Sequence, residues 1–159
     1  MTKLKKIGLG GGCHWCTEAV FQAVPGVERV EQGYIASEGA ASSFSEAVII
    51  HYPSKKAFLE QLIRIHLHTH SSTSAHSFRG KYRSAIYTFS AEDAAEAEAV
   101  LHKLKQESSE EIITQVLPFR SFKASREEIQ NYYKKHPKAP FCKRYIEPKL
   151  VDLRSRFKI

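Results

Sequence analysis

The order of predicted elements points to a two-layer sandwich of α/β or α+β class. Short apolar runs bounded by turn residues alternate with amphipathic stretches at helical spacing, and no internal repeat or low-complexity segment interrupts them. A length of 159 residues with 42% hydrophobic side chains suits one ordinary core, so residues 1–159 are read as a single catalytic domain.

Taken in order, Lys5–Leu9 reads as a short strand ending in a glycine turn. Between Cys13 and Ala23 the apolar positions Trp15, Ala19, Val20 and Ala23 recur at helical spacing, and Pro25-Gly26 stops the run. Val27–Ile35 is a strand and Ser37–Ser43 a small-residue loop, followed by a strand at Glu46–Tyr52 with a continuous apolar centre. Ala57–His66 is an amphipathic helix and His68–Gly80, poor in apolar residues, a long loop. Tyr82–Phe89 is a strand. Ser90 then caps a helix over Ala91–Glu107, with Glu92 and Asp93 in its first turn. Ile112–Pro118 is a strand, Ser125–Lys135 a capped helix, and the segment after Pro140 is mixed.

Composition narrows the function classes. The net charge is +7, but the cations are spread along the chain without an interleaved aromatic platform, which argues against a nucleic-acid partner. No apolar run approaches the roughly 18–20 residues that span a bilayer, and the first residues do not form a signal peptide. The expectation is a soluble, cytoplasmic monomer. Three cysteines, Cys13, Cys16 and Cys142, are too few for a disulfide framework and leave catalysis or metal binding.

Cys13 is the leading chemical candidate. A cysteine in the first turn of a helix faces unpaired N–H groups and the positive end of the dipole, both of which favour the reactive thiolate. The preceding glycines allow a sharp turn and close approach by a substrate. Gly8-Leu9-Gly10-Gly11-Gly12-Cys13 nearly spells a dinucleotide fingerprint, but the third glycine and the distal acidic residue are missing. Cys13 and Cys16 form a C-x-x-C pair, a redox couple or half of a zinc site that His66, His68, His70 and His76 would have to complete.

Glu46 opens the apolar strand, and burial there favours the neutral, proton-donating form of a carboxyl. Tyr82, where the long loop turns into a strand, can donate a hydrogen bond to a developing oxyanion.

Together these segments resemble the A-type peptide methionine sulfoxide reductases. The resemblance rests on Gly11-Gly12-Cys13-His14-Trp15-Cys16, Pro25-Gly26-Val27, Gly33-Tyr34, Glu46-Ala47-Val48 and Tyr82-Arg83-Ser84-Ala85-Ile86-Tyr87. It extends to Asn131-Tyr132-Tyr133 and Pro140-Phe141-Cys142, from about Ile7 to Leu150. It implies an α+β fold, a two-layer, ferredoxin-like sandwich with helices packed on a mixed sheet. It also implies that Cys13 attacks the sulfoxide sulfur while Glu46, helped by Tyr82, protonates the oxygen. Cys13 then becomes a sulfenic acid that a second thiol resolves. The family's use of C-terminal resolving cysteines favours Cys142, in a segment whose prolines are expected to keep it out of a helix. Cys16 is the alternative.

No bound cofactor is implied. The substrate would be methionine sulfoxide, the S epimer, free or in peptides, and the reductant thioredoxin or another thiol. Trp15 would form one wall of the substrate pocket.

Three departures from the family pattern bear on that pocket. His14 stands where phenylalanine is usual and, when protonated, would support the thiolate. The loop before Glu46 is short, so Phe44 is the aromatic nearest to the family's second tyrosine. The family's aspartate upstream of Tyr82 is missing, and His76 and Ser77 lie near its place. The rival readings are a glutaredoxin-like dithiol oxidoreductase using Cys13 and Cys16, which would leave Glu46 and Tyr82 without a role, and a zinc-binding domain.

Overall fold

Leu4–Gly10 forms the strand β1, which lies inside a six-stranded sheet of order β5-β4-β1-β3-β2-β6. The computed structural model describes residues 3–69 and 82–157. The other strands are β2 (Arg29–Ala36), β3 (Ser45–Pro53), β4 (Ala85–Thr88), β5 (Gln115–Pro118) and β6 (Ser121–Ala124). Every neighbouring pair is antiparallel except β4 and β5, so the sheet is mixed.

Alternation along the strands divides the side chains between two faces. Ile7, Leu9, Val48 and Ile50 point to the face that carries the helices α1 (His14–Gln22), α2 (Lys56–Thr69), α3 (Ala91–Glu107) and α5 (Glu147–Phe157). Phe21, Leu62, Ile63, Leu101 and Leu153 close over them, each fully buried aliphatic or aromatic side chain contributing about 1.5–3 kcal/mol. Ile35, Ala47, Ile49, Ala85 and Tyr87 lie on the opposite face, with Phe89, Leu117, Phe119 and Phe122 packed around them. Two layers with helices on a mixed sheet is the α+β architecture that the family resemblance implied.

Local signals explain most elements. Ser90 Oγ accepts the backbone N–H of Asp93 at 3.1 Å, and α3 begins at the next residue after the cap. Gly33, where β2 runs between β3 and β6, could not carry a side chain: a Cβ would lie 2.7 Å from the Phe122 ring and would meet the Lys123 carbonyl.

Four expectations are corrected. The helix expected over Ser125–Lys135 is confined to the short α4, Tyr132–Lys135, because Asn131 takes a left-handed conformation (φ 56°) that breaks any longer helix. Ser121–Ala124, which the sequence reading left unassigned, adds β6 to the sheet edge. The segment after Pro140 is helical: a π-helical turn over Cys142–Ile146 leads directly into α5, so the prolines do not keep Cys142 out of a helix. Pro148 is the second residue of α5, directly after the π-helical turn, so its missing N–H falls where the helix changes its hydrogen-bond spacing. His68 belongs to α2 and not to the following loop; His70 and His76 lie outside the described residues.

Candidate active site

The end of β1 delivers the chain into a glycine turn directly before α1. Gly11 has φ 154°, a backbone conformation that side chains rarely adopt. The buried His66 of α2 donates from Nε2 to the Gly10 carbonyl at 2.7 Å and fixes the strand end from which the turn departs. Cys13 follows as the N-cap residue of α1, with its carbonyl accepting the N–H groups of Cys16 and Thr17 at 3.1 and 3.2 Å.

That placement acts on the thiol. A hydrogen bond from the Cys16 thiol holds the Cys13 thiol below its ordinary pKa, and the backbone N–H groups of Trp15 and Cys16 add to the effect. Partial burial and the nearby Glu46 oppose it. Cys16 is pushed far above the ordinary thiol range because it is the donor to Cys13 and is buried. Cys13 is therefore the more readily ionised thiol of the pair, and Cys16 the one that stays protonated.

Glu46, the second residue of β3, lies on the face that carries α1 and is 6% exposed. Its Oε1 accepts the backbone N–H of His14 at 3.2 Å and lies 3.4 Å from His14 Nε2. His14 Nδ1 bonds the Gly33 carbonyl at 2.8 Å, and its ring meets Tyr34 edge-on at 5.1 Å. His14 thus faces Glu46, on the side of α1 that packs against β2 and β3.

On its other side Cys13 opens into a cavity of about 350 Å³. Tyr82, Phe141, Tyr145 and Lys149 line it with Cys13 and Cys16. Trp15 stacks on Tyr132 at 4.2 Å and meets Phe141 edge-on at 5.1 Å, forming an aromatic group beside the cavity. Lys149 donates to the Thr69 carbonyl at 2.6 Å, and its positive charge acts to lower the Cys16 pKa.

Cys142 packs in the same core as Cys16 with 0% exposure, close enough that its negative form would raise the Cys16 pKa; burial raises its own.

Of the site residues expected from sequence, Cys13, Cys16 and Tyr82 line the cavity, His14 and Glu46 pair at the start of α1 without lining it, Trp15 reaches the cavity only through Phe141, and Cys142 shares the buried core with Cys16. Phe44 is 47% exposed in the loop before β3 and does not line the cavity. His76 lies outside the described residues.

Of the histidines weighed for zinc, the two described ones are engaged elsewhere: His66 holds Gly10 and His68 pairs with Asp152 at 2.6 Å. Among the described residues no group of three or more His, Cys, Asp or Glu could hold a metal ion. The sequence reading missed Tyr145 and Lys149 as cavity residues. Their signal was the periodic run Phe141, Tyr145, Lys149, spaced by four.

Residues 5–158 match the family model described as peptide methionine sulfoxide reductase. The chain is 33% identical over 162 residues to a peptide methionine sulfoxide reductase of Acinetobacter baumannii, with 93% of each chain covered. Its fold is similar to that of Mxr1 from Saccharomyces cerevisiae in an oxidized form, with TM-score 0.70, 24% identity and coverage of 86% of this chain and 84% of that one. It is also similar to Mxr1 in complex with Trx2, with TM-score 0.64, 22% identity and coverage of 80% and 85%. With the thiol at a helix start and the buried carboxylate beside it, these likenesses show that the chain belongs to the peptide methionine sulfoxide reductase family, oxidoreductases that return methionine sulfoxide to methionine.

Proposed function

We propose that Cys13 is the nucleophile, Glu46 the proton donor and Tyr82 its helper at the oxygen, in reduction of the S epimer of methionine sulfoxide, free or within proteins. The observation that carries this reading is the Cys13 thiol, lowered by Cys16, which lines the aromatic cavity and lies within electrostatic reach of the buried Glu46. The thiolate attacks the sulfoxide sulfur as its oxygen gains a proton. Methionine leaves, and the oxygen remains on Cys13 as a sulfenic acid. Cys13 loses two electrons and the sulfoxide gains them. Trp15 and Phe141 supply apolar surface for the S-methyl group.

A second thiol then attacks the sulfenic sulfur, releasing water and forming a disulfide. Family likeness favours Cys142 for this role. The hydrogen bond between the Cys13 and Cys16 thiols supports Cys16 for the first bond, with Cys142, packed beneath it, as acceptor of the disulfide afterwards. Thioredoxin or another dithiol resets the enzyme, a role consistent with the complex of Mxr1 with Trx2. No helix among the described residues is long and apolar enough to cross a membrane. Residues 1–159 act as a single catalytic domain and a monomer. A reducing compartment such as the cytoplasm suits a protein whose thiols must be reset.

The test is reduction of the separated S and R epimers of N-acetylmethionine sulfoxide with dithiothreitol as the electron source, alongside Cys13→Ser. Turnover of the S epimer that is lost in the folded variant is expected. Near-wild-type turnover by Cys13→Ser would refute the assignment.

A further inference from the structure

We propose that His14 and Glu46 work as one proton-holding pair, in which His14 is the positioning residue that keeps a proton on Glu46's side of the site until substrate arrives. This rests on the reading of Glu46 as proton donor and deepens it.

The argument starts at Gly33. A carbonyl oxygen can only accept, so the 2.8 Å contact with His14 Nδ1 requires that this nitrogen carry its proton. Nε2 is then the nitrogen that can change state, and it faces Glu46 Oε1 at 3.4 Å. A bare nitrogen lone pair against a carboxylate oxygen is repulsive, so a proton lies on that axis, on either Nε2 or Oε1.

The pair is sealed. His14 is 3% and Glu46 6% exposed, and Tyr34 covers the imidazole edge-on. In such surroundings charge separation is costly and a shared proton is held tightly. The second link between the two residues, from the His14 backbone N–H to the same Oε1 at 3.2 Å, fixes the carboxylate against the start of α1, beside the nucleophile. The pair also relieves a conflict at Cys13, whose thiolate the bare Glu46 carboxylate opposes. With a proton on the axis, thiolate and acid coexist.

In the reaction the shared proton passes through Glu46 to the sulfoxide oxygen as Cys13 attacks sulfur, which leaves the Glu46 carboxylate beside a neutral His14. The neutral Nε2 left behind is reprotonated from solvent after methionine departs.

Among the described residues, these titratable or charged groups surround the pair. Cys13 lies at the N-cap of α1, and Tyr34 faces the ring from β2. Glu18, further along α1, is turned to Gln32 and Asn131. Lys123 on β6 is Tyr34's cross-strand partner, Arg83 directs its guanidinium to Ser43 and Tyr87, and Tyr82 lines the cavity.

The experiment measures kcat/KM against pH for the wild type, His14→Phe and His14→Asn. Phenylalanine is usual at this place in the family, and asparagine keeps a donor toward Gly33 while removing the arm to Glu46. Both variants should move the alkaline limb to lower pH by about one unit or more, because the acid no longer shares its proton. Profiles that stay parallel to wild type would overturn the proposal.

A second readout does not need activity. In 15N spectra of the labelled protein, His14 Nδ1 should stay protonated while Nε2 keeps its proton to higher pH in wild type than in Glu46→Gln. Loss of the Nδ1 proton first, or identical titration in both, also overturns it. If no sulfoxide is reduced but the spectra show the shared proton, the functional reading fails and the pair stands.

Discussion

The carboxylate of Glu18, buried on α1, accepts the backbone N–H of Asn131 at 2.9 Å and of Tyr132 at 3.2 Å. Gln32 Nε2 on β2 donates to the same carboxylate at 2.9 Å. One side chain therefore ties the helix that Cys13 caps, the sheet and the left-handed start of α4 together. Glu18→Ala should cost about 1–3 kcal/mol, since it removes the acceptor of three hydrogen bonds from a buried position, and urea unfolding measures it. A loss under about 0.5 kcal/mol would show that water replaces the carboxylate.

Glu46→Gln removes the transferable proton but keeps the shape. Single-turnover reduction should slow by about 10²–10⁴-fold, the usual worth of general acid catalysis. Stopped-flow measurement of sulfenic acid formation isolates this step, and a loss of only a few-fold would assign the proton to another group.

The pH dependence of Cys13 follows from its lowered pKa. A thiol is neutral when protonated, so a lowered pKa keeps the reactive thiolate present at lower pH. Alkylation of Cys13 by iodoacetamide, followed by mass spectrometry of its peptide, should rise through a midpoint below 9.0, the reference value for a free thiol. The first cause of the shift is the Cys16 thiol, so Cys16→Ala should remove that hydrogen-bond donor and move the midpoint upward. An unchanged midpoint would give the effect to the backbone N–H groups alone.

One turnover without reductant, followed by peptide mapping, should find Cys13–Cys16 first and Cys16–Cys142 later. In Cys16→Ser the first disulfide should become Cys13–Cys142 and form more slowly. Direct appearance of Cys13–Cys142 in the wild type, with no earlier bond, would restore Cys142 as the immediate resolving thiol.

The sequence made legible what local chemistry dictates. Ser90 and the acidic first turn marked α3 at its true bounds, and the glycines before Cys13 marked the strand-to-helix turn. Glu46 was visible because a carboxylate heads an apolar run, and that run fills β3.

Long-range chemistry was not visible. His14 and Glu46 are 32 positions apart, and nothing periodic joins them. The helix expected over Ser125–Lys135 failed because Glu18, from a distant part of the chain, captures the N–H groups of Asn131 and Tyr132 where the chain turns left-handed. The prolines around Cys142 read as breakers, but the chain is helical from Cys142 onward, and Ile146, Leu150 and Leu153 carry the apolar stripe of the final helix into the core.

Cys16 and Cys142 belong to the same packed core as Phe21 and Leu153. Closing a disulfide there changes how that core is packed as well as how many electrons the protein holds. The cycle of folding and oxidation then links two quantities usually measured apart: whatever folding free energy separates the dithiol and disulfide chains also separates the reduction potentials of the native and unfolded pair. A methyl group removed beneath Cys142, far from any sulfoxide, would thus tune how readily this protein surrenders its electrons.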